Sequence, residues 1–301
     1  MLLENSRGPD DNIREGYIIG LICLFYLFHG LTTSPLFVGY GYDREVFRYF
    51  GMLIYNGGVP YVDAFDHKPP VIYLLFFLGH VLNNGPWGAF IIFQIIGASA
   101  SLMFFAACKK HIGKNNSLVV TFFYIALVKY DFVINEGGLT RELSSALTMM
   151  LFSIFLFSIK NKIIFLSGVL FTVIFYTQQN EVIAIIPLLI YFLTTDLNFR
   201  AKDLFKTILI RSVIFFAGSL LIHLAIFFLF YRWDALEELI SQAFLFNTQH
   251  YIAENSFLVR FAKVIYNMTF GLEIYSPIFL ALILCSFPLI ALLRNRNVHN
   301  V

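Results

Sequence analysis

Long apolar runs alternate with short polar breaks along this chain. Runs at 17–38, 87–108, 117–134, 142–159, 162–177, 181–195, 207–231 and 269–293 read as membrane spans, since a hydrocarbon core of ~30 Å needs roughly 17–25 apolar residues of helix. Backbone groups in lipid must satisfy one another, which makes these runs helices. The alternating segments of ~10 residues that a β-barrel requires are not seen. A ninth apolar stretch, 69–82, opens on Pro69-Pro70 and is short, which suits an interfacial or re-entrant helix. The expected fold is all-α: a polytopic transmembrane helical bundle of about eight spans, with juxtamembrane helices in the first and last outer loops.

Composition sharpens this picture. The 301 residues are 58% apolar and 13% charged, with a mean hydropathy of +0.74. Soluble domains average roughly 45–50% apolar and about 25% charged, so too little polar surface remains here to cover a water-soluble globule. The net charge of +2 comes without a basic stripe and implies no nucleic-acid partner. Cys23, Cys108 and Cys285 lie far apart in apolar runs and read as packing residues. Residues 1–16 are polar, and the run that follows is too long for a cleavable signal, so a signal anchor is expected.

Charge bias orients the loops. Lys109, Lys110, Lys114, Lys160, Lys162, Arg200, Lys202, Lys206, Arg211, Arg294 and Arg296, with Arg7 and Arg14, fall on one side if 69–82 does not cross. The positive-inside rule makes that side cytoplasmic, termini included, in a cell (inner or plasma) membrane. Segments 39–68, 135–141, 178–181 and 232–268 then share the outer face. Within 232–268, Ala235, Leu236, Leu239, Ile240, Ala243 and Phe244 recur at helical spacing, which predicts amphipathic helices on the outer leaflet. Two regions result: a core, 1–231, whose loop 39–68 carries the site, and 232–301, an outer loop plus a final span.

Loop 39–68 concentrates the chemistry. Asp43 is placed as the N-cap of a short helix, and a carboxylate at the membrane edge is equally a candidate general base. Its neighbour Arg44 is suited to bind an anion. Lys68 precedes the Pro69-Pro70 helix start, where an ammonium beside helix amides suits a phosphate. Asp43, Asp63, Asp66 and His67 are candidate ligands for a divalent ion, Mg or Mn. Tyr61, Asp63, Asp66 and His67 are candidate substrate contacts, as are Gln178, Gln179 and Glu181 at a later outer turn. Glu142 opens a span after Gly137-Gly138, where a carboxylate also favours the helix dipole. Lys129 and Asp131 are expected to pair or to snorkel, and His29, His80 and His223 to be packed.

Asp43 followed by Gly57-Gly58-Val59-Pro60-Tyr61-Val62-Asp63-Ala64-Phe65-Asp66-His67-Lys68-Pro69-Pro70 resembles the GT-C superfamily of membrane glycosyltransferases. The likeness is to bacterial members related to protein O-mannosyltransferases and lipid A aminoarabinose transferases. It implies a polyprenyl-phosphate sugar donor, a lipid, glycan or protein acceptor hydroxyl, and work on the outer face. By that likeness Asp43 is the base, Glu142 the second catalytic acid, and Lys68, helped by Arg44, holds the donor phosphate. Many relatives carry an acidic pair at the first position, where this chain has Asp43-Arg44-Glu45. The competing readings are a lipid or glycan transporter, which calls for midplane polar residues or broken repeats, and a non-catalytic membrane subunit.

Overall fold

The computed structural model describes residues 9–37, 41–129, 137–157, 160–194 and 204–246. Helix α1 is Pro9–Gly30, extended by a 3₁₀ turn at Leu31–Thr33, and α2 is Tyr42–Tyr55. Then follow α3, Val71–Leu82; α4, Pro86–Ile112; α5, Lys114–Val128; and α6, Thr140–Phe157. Helices α7, Asn161–Phe175; α8, Gln179–Thr194; and α9, Leu204–Arg232, complete the bundle. A short helix at Leu236–Glu238 runs on as a π-helix at Leu239–Leu245. The described residues form no named strand, and four helices are long and apolar enough to cross a membrane: Glu15–Thr33, Pro86–Ile112, Thr140–Phe157 and Phe205–Arg232. Helices α5, α7 and α8 match three further expected spans but are shorter, and the expected span 269–293 lies outside the described residues.

Interlocking side chains fix the directions of the helices. Glu15 pairs with Lys109, Tyr26 packs on Gly97, and Gly30 packs on Gln94, so α1 and α4 are antiparallel. Helix α4 therefore starts at the end at which α1 finished and runs back toward the start of α1. Helices α2 and α3 both lie at the end where α1 finishes, as the charge pattern requires of a non-crossing 69–82 segment. Phe76 backs onto Gly51, and Gly79 admits the Ala89 backbone. Helices α7 and α9 run parallel. Gly168 touches the Phe215 carbonyl and Gly218 touches that of Phe165, and Thr172 Oγ1 donates to Ser219 Oγ at 2.7 Å. Small residues at such a crossing let backbones meet closely in lipid, where packing replaces the hydrophobic drive. Gly168→Ala is expected to cost about 1–3 kcal/mol by overpacking, read as an earlier unfolding midpoint in detergent. An unchanged midpoint would mean that the crossing yields easily.

The basic residues work at the opposite end. Lys110 Nζ donates to Phe157 O at 2.8 Å and His111 Nε2 lies 3.0 Å from Leu156 O, together capping the C-terminus of α6. Arg211 Nη1 donates to Leu193 O at 2.9 Å at the end of α8. Cations there meet bare carbonyls and the negative end of the helix dipole.

Two sequence expectations change here. The N-cap of α2 is Gly41, not Asp43, because the extended residue before the first helical position, Tyr42, is the glycine. Asp43 sits in the first turn. Part of the apolar stripe expected over 232–268 faces inward: Ala235, Leu239 and Ala243 are fully buried in the main core with Tyr61, Tyr176 and Phe230, while Ile240 stays exposed. Residues 247–268 of that loop lie outside the described residues.

Candidate active site

Loop 56–70 is a chain of closed turns. Asp63 Oδ2 accepts the Val59 N–H at 2.7 Å while Val59 O accepts the Asp63 N–H at 3.0 Å, so Asp63 ties its own turn. Tyr61 holds a left-handed backbone, φ 71°, a conformation that costs a non-glycine residue of order 1–3 kcal/mol. Three bonds over-determine it: Tyr61 N to Ala64 O at 3.0 Å, Tyr61 OH to Lys68 O at 2.7 Å, and Gln242 Nε2 to Tyr61 O at 2.7 Å. Tyr73 OH donates to Asp66 Oδ2 at 2.7 Å and lies 3.2 Å from Lys68 O, and Asp66 Oδ1 accepts the His67 N–H at 2.7 Å. Two buried phenols therefore clamp the Lys68 carbonyl. Burial, and then the Asp66 carboxylate, push the Tyr61 phenol up, which keeps its proton available for donation.

His67 leans on Phe246 with ring centroids 5.9 Å apart. Desolvation lowers its pKa first and the Lys68 cation second, with Asp66 and Asp43 partly offsetting them, so the imidazole is neutral at pH 7. Asp43, Asp66, His67 and Lys68 thus share one electrostatic neighbourhood. Among the described residues no three His, Cys, Asp or Glu side chains converge as a metal ion would need. The amide donors expected beside Lys68 are fewer than at an ordinary helix start. Pro69 and Pro70 have none, and Val71 N–H donates to Tyr176 O at 3.1 Å.

A narrow crevice, with an accessible volume of about 20 Å³, lies where α2, α3 and α4 meet. Arg44, Glu45 and Arg48 line it from α2, His80 from α3, and Gln94 with three phenylalanines from the inner walls. Arg48 Nε donates to Glu45 Oε2 at 2.6 Å. Arg44, 8% exposed, points Nη1 toward Thr33 O at 3.5 Å.

Glu142 reaches this crevice but not as an open acid. It is 4% exposed; Oε1 accepts from Lys129 Nζ at 2.7 Å and Oε2 from the Gly138 N–H at 2.8 Å. Lys129, fully buried, also sits 4.6 Å from the Tyr26 ring centroid. Among the described residues Lys129 pairs with Glu142, and its expected partner Asp131 lies outside them. Gly137 and Gly138 both have left-handed φ (71° and 69°) and pack on Thr33 and on the Arg44 stem, where a Cβ would crowd both.

The later amides form a separate group. Gln179 Nε2 donates to Ala243 O at 2.7 Å, and Gln178 Oε1 lies 3.4 Å from the Ser144 hydroxyl. Glu181 follows in the first turn of α8. Sequence reasoning passed over Arg48, Tyr73, His80 and Gln94. Arg48 follows Arg44 by four residues, one helical turn, and Gln94 is the lone side-chain amide in the α4 run. Nothing local marked His80 or Tyr73.

Residues 67–233, more than half of the chain, match the family described as dolichyl-phosphate-mannose-protein mannosyltransferase. The match takes in Lys68, Glu142 and the amides at 178–179, and begins after Asp43 and Arg44. No curated protein and no solved structure matches the chain. With its apolar helices and the clamped His67-Lys68-Pro69-Pro70 segment, this chain belongs to the dolichyl-phosphate-mannose-protein mannosyltransferase family and is a membrane glycosyltransferase of that general kind.

Proposed function

We propose that the chain moves a sugar from a polyprenyl-phosphate donor to an acceptor hydroxyl at the loop-bearing end of the bundle, on the outer face of the cell membrane. The observation that carries this reading is the fixed Lys68 backbone, its carbonyl held by Tyr61 and Tyr73 at the start of α3. Asp43, exposed at the start of α2, takes the acceptor proton as the hydroxyl oxygen attacks the anomeric carbon. The bond from that carbon to the phosphate oxygen breaks, and its electron pair leaves with the polyprenyl phosphate. The Lys68 ammonium offsets the growing negative charge. The neutral His67 adds no charge of its own beside the phosphate.

The test uses purified protein in nanodiscs with a panel of radiolabelled polyprenyl-phosphate sugars. Release of sugar to acceptor or water from one donor is expected. Binding without release across the panel would exclude transfer and favour a carrier or a subunit.

A further inference from the structure

We infer that Gln242, which lies beyond the family-matched residues 67–233, is a positioning residue for the donor phosphate, setting through Tyr61 where Lys68 stands. The inference rests on the proposed donor role of Lys68. Gln242 Nε2 donates to Tyr61 O at 2.7 Å, and Tyr61 OH donates to Lys68 O at 2.7 Å. Between them the Tyr61 backbone is left-handed, φ 71°, a conformation that a non-glycine residue leaves unless its surroundings hold it. Two of the three bonds on Tyr61 close within the loop itself. Gln242 supplies the third from 181 residues along the chain, and so ties the turn to the bundle. Releasing that turn moves the phenol off the Lys68 carbonyl and leaves it to Tyr73, the longer contact at 3.2 Å.

Gln242 reaches out from a fixed support. Ala235, Leu239 and Ala243 are fully buried, and Gln179 Nε2 at the start of α8 donates to Ala243 O at 2.7 Å. Leu239–Leu245, which carries Gln242, is wound as a π-helix, a rare form frequently found at functional sites. A carbonyl can only accept, so the Tyr61 contact fixes the nitrogen end of the amide toward the loop. Gln242 Oε1 is buried and has no hydrogen-bond partner among the described residues, so the amide bonds to the protein through Nε2. Were that bond a fastener for the 236–245 segment alone, its loss would lower the folded fraction and kcat with it, and leave the donor KM in place. A group that sets Lys68 moves donor KM and kcat together.

Gln242→Met keeps the stem and removes the donor. The full chain in nanodiscs is read in two ways, by amide hydrogen exchange mapped on peptides and by transfer kinetics. Exchange across 56–70 is expected to quicken about tenfold in the variant, with α2 and α4 unchanged. The donor kcat/KM should fall about tenfold through both constants, with the acceptor KM unmoved. In a Lys68→Ala background the same substitution should add nothing, since the group it acts through is gone. Unmoved exchange across 56–70, a kcat loss at unchanged donor KM, or a further full loss beside Lys68→Ala overturns the positioning role. If Gln242→Met melts below wild type, Gln242→Leu takes its place, and wild type with added decaprenyl phosphate gives a check that needs no variant. Exchange should then slow in 56–70 and 239–245 together; slowing in 56–70 alone overturns the link. A wild type that transfers from no donor sinks the transfer reading and the donor role with it. Quicker exchange of 56–70 in Gln242→Met would in that case still show that Gln242 holds the turn.

Discussion

Lys129→Met with Glu142 intact is expected to destabilise the folded chain by about 3–5 kcal/mol, because breaking a buried ion pair from one side strands the other charge. Glu142→Gln should cost a similar amount by stranding the ammonium. Both side chains are sealed from solvent, at 0% and 4% exposed, so little water is present to screen the orphan. The double variant Lys129→Met/Glu142→Gln removes both charges and should recover most of the loss, since an apolar or neutral replacement of a buried pair is often neutral. Unfolding midpoints of the four proteins in one detergent form the double-mutant cycle. Transfer activity on the same four separates the roles of Glu142. As a positioning residue it holds the Gly138 N–H, and Gly138 backs the Arg44 stem; the double variant should then regain activity with stability. A double variant that folds like wild type and transfers nothing would make the Glu142 carboxylate a direct participant in the chemistry, as the family likeness first suggested.

The contrast between Glu142 and the helices shows what the residue order carries. Apolar periodicity and terminal basic residues are local, and they placed α4, α6 and α9 to within a few residues of their ends, whereas α1 starts and stops eight residues before the expected 17–38 run. Charge parity reads α3 as non-crossing, because the parity depends only on how many times the chain crosses; in the structure α3 packs on the start of α4 and on the end of α7. The described partner of Lys129, Glu142, lies thirteen residues on, past the Gly137-Gly138 turn, and no local pattern points to it. The crevice depends on how α2 and α4 each settle on α3, which brings Glu45 and Gln94 to one cleft across forty-nine residues. Asp63 and Gln179 illustrate the reverse case. Their polar side chains looked available for a ligand, and the fold uses them to tie a turn and to fasten the π-helix. Polar residues in an apolar chain mark where backbone needs help as readily as where substrate binds.

Asp43→Asn is expected to lower sugar transfer by about 10²–10⁴-fold, the usual worth of a positioned general base, with the donor KM unchanged. The site favours a clean result. Asp43 is exposed in the first turn of α2 and does not cap it, that role falling to Gly41, so the amide should leave the fold intact. Lys68→Ala is expected to act differently, raising the donor KM and lowering kcat together, since the ammonium meets the phosphate both before and during departure. The Lys68 backbone should stay in place in that variant, because Tyr61 and Tyr73 hold its carbonyl and not its side chain. His67 gives an internal check. Removing the Asp43 carboxylate takes away one of the two groups that raise the imidazole pKa, so His67 should titrate at lower pH in Asp43→Asn, and at higher pH in Lys68→Ala. Proton NMR of the imidazole reads both shifts without any turnover. Transfer at the wild-type rate in Asp43→Asn, with the His67 shift present, would remove Asp43 as the base. The role would then pass to Glu45, one half-turn on, which lines the crevice.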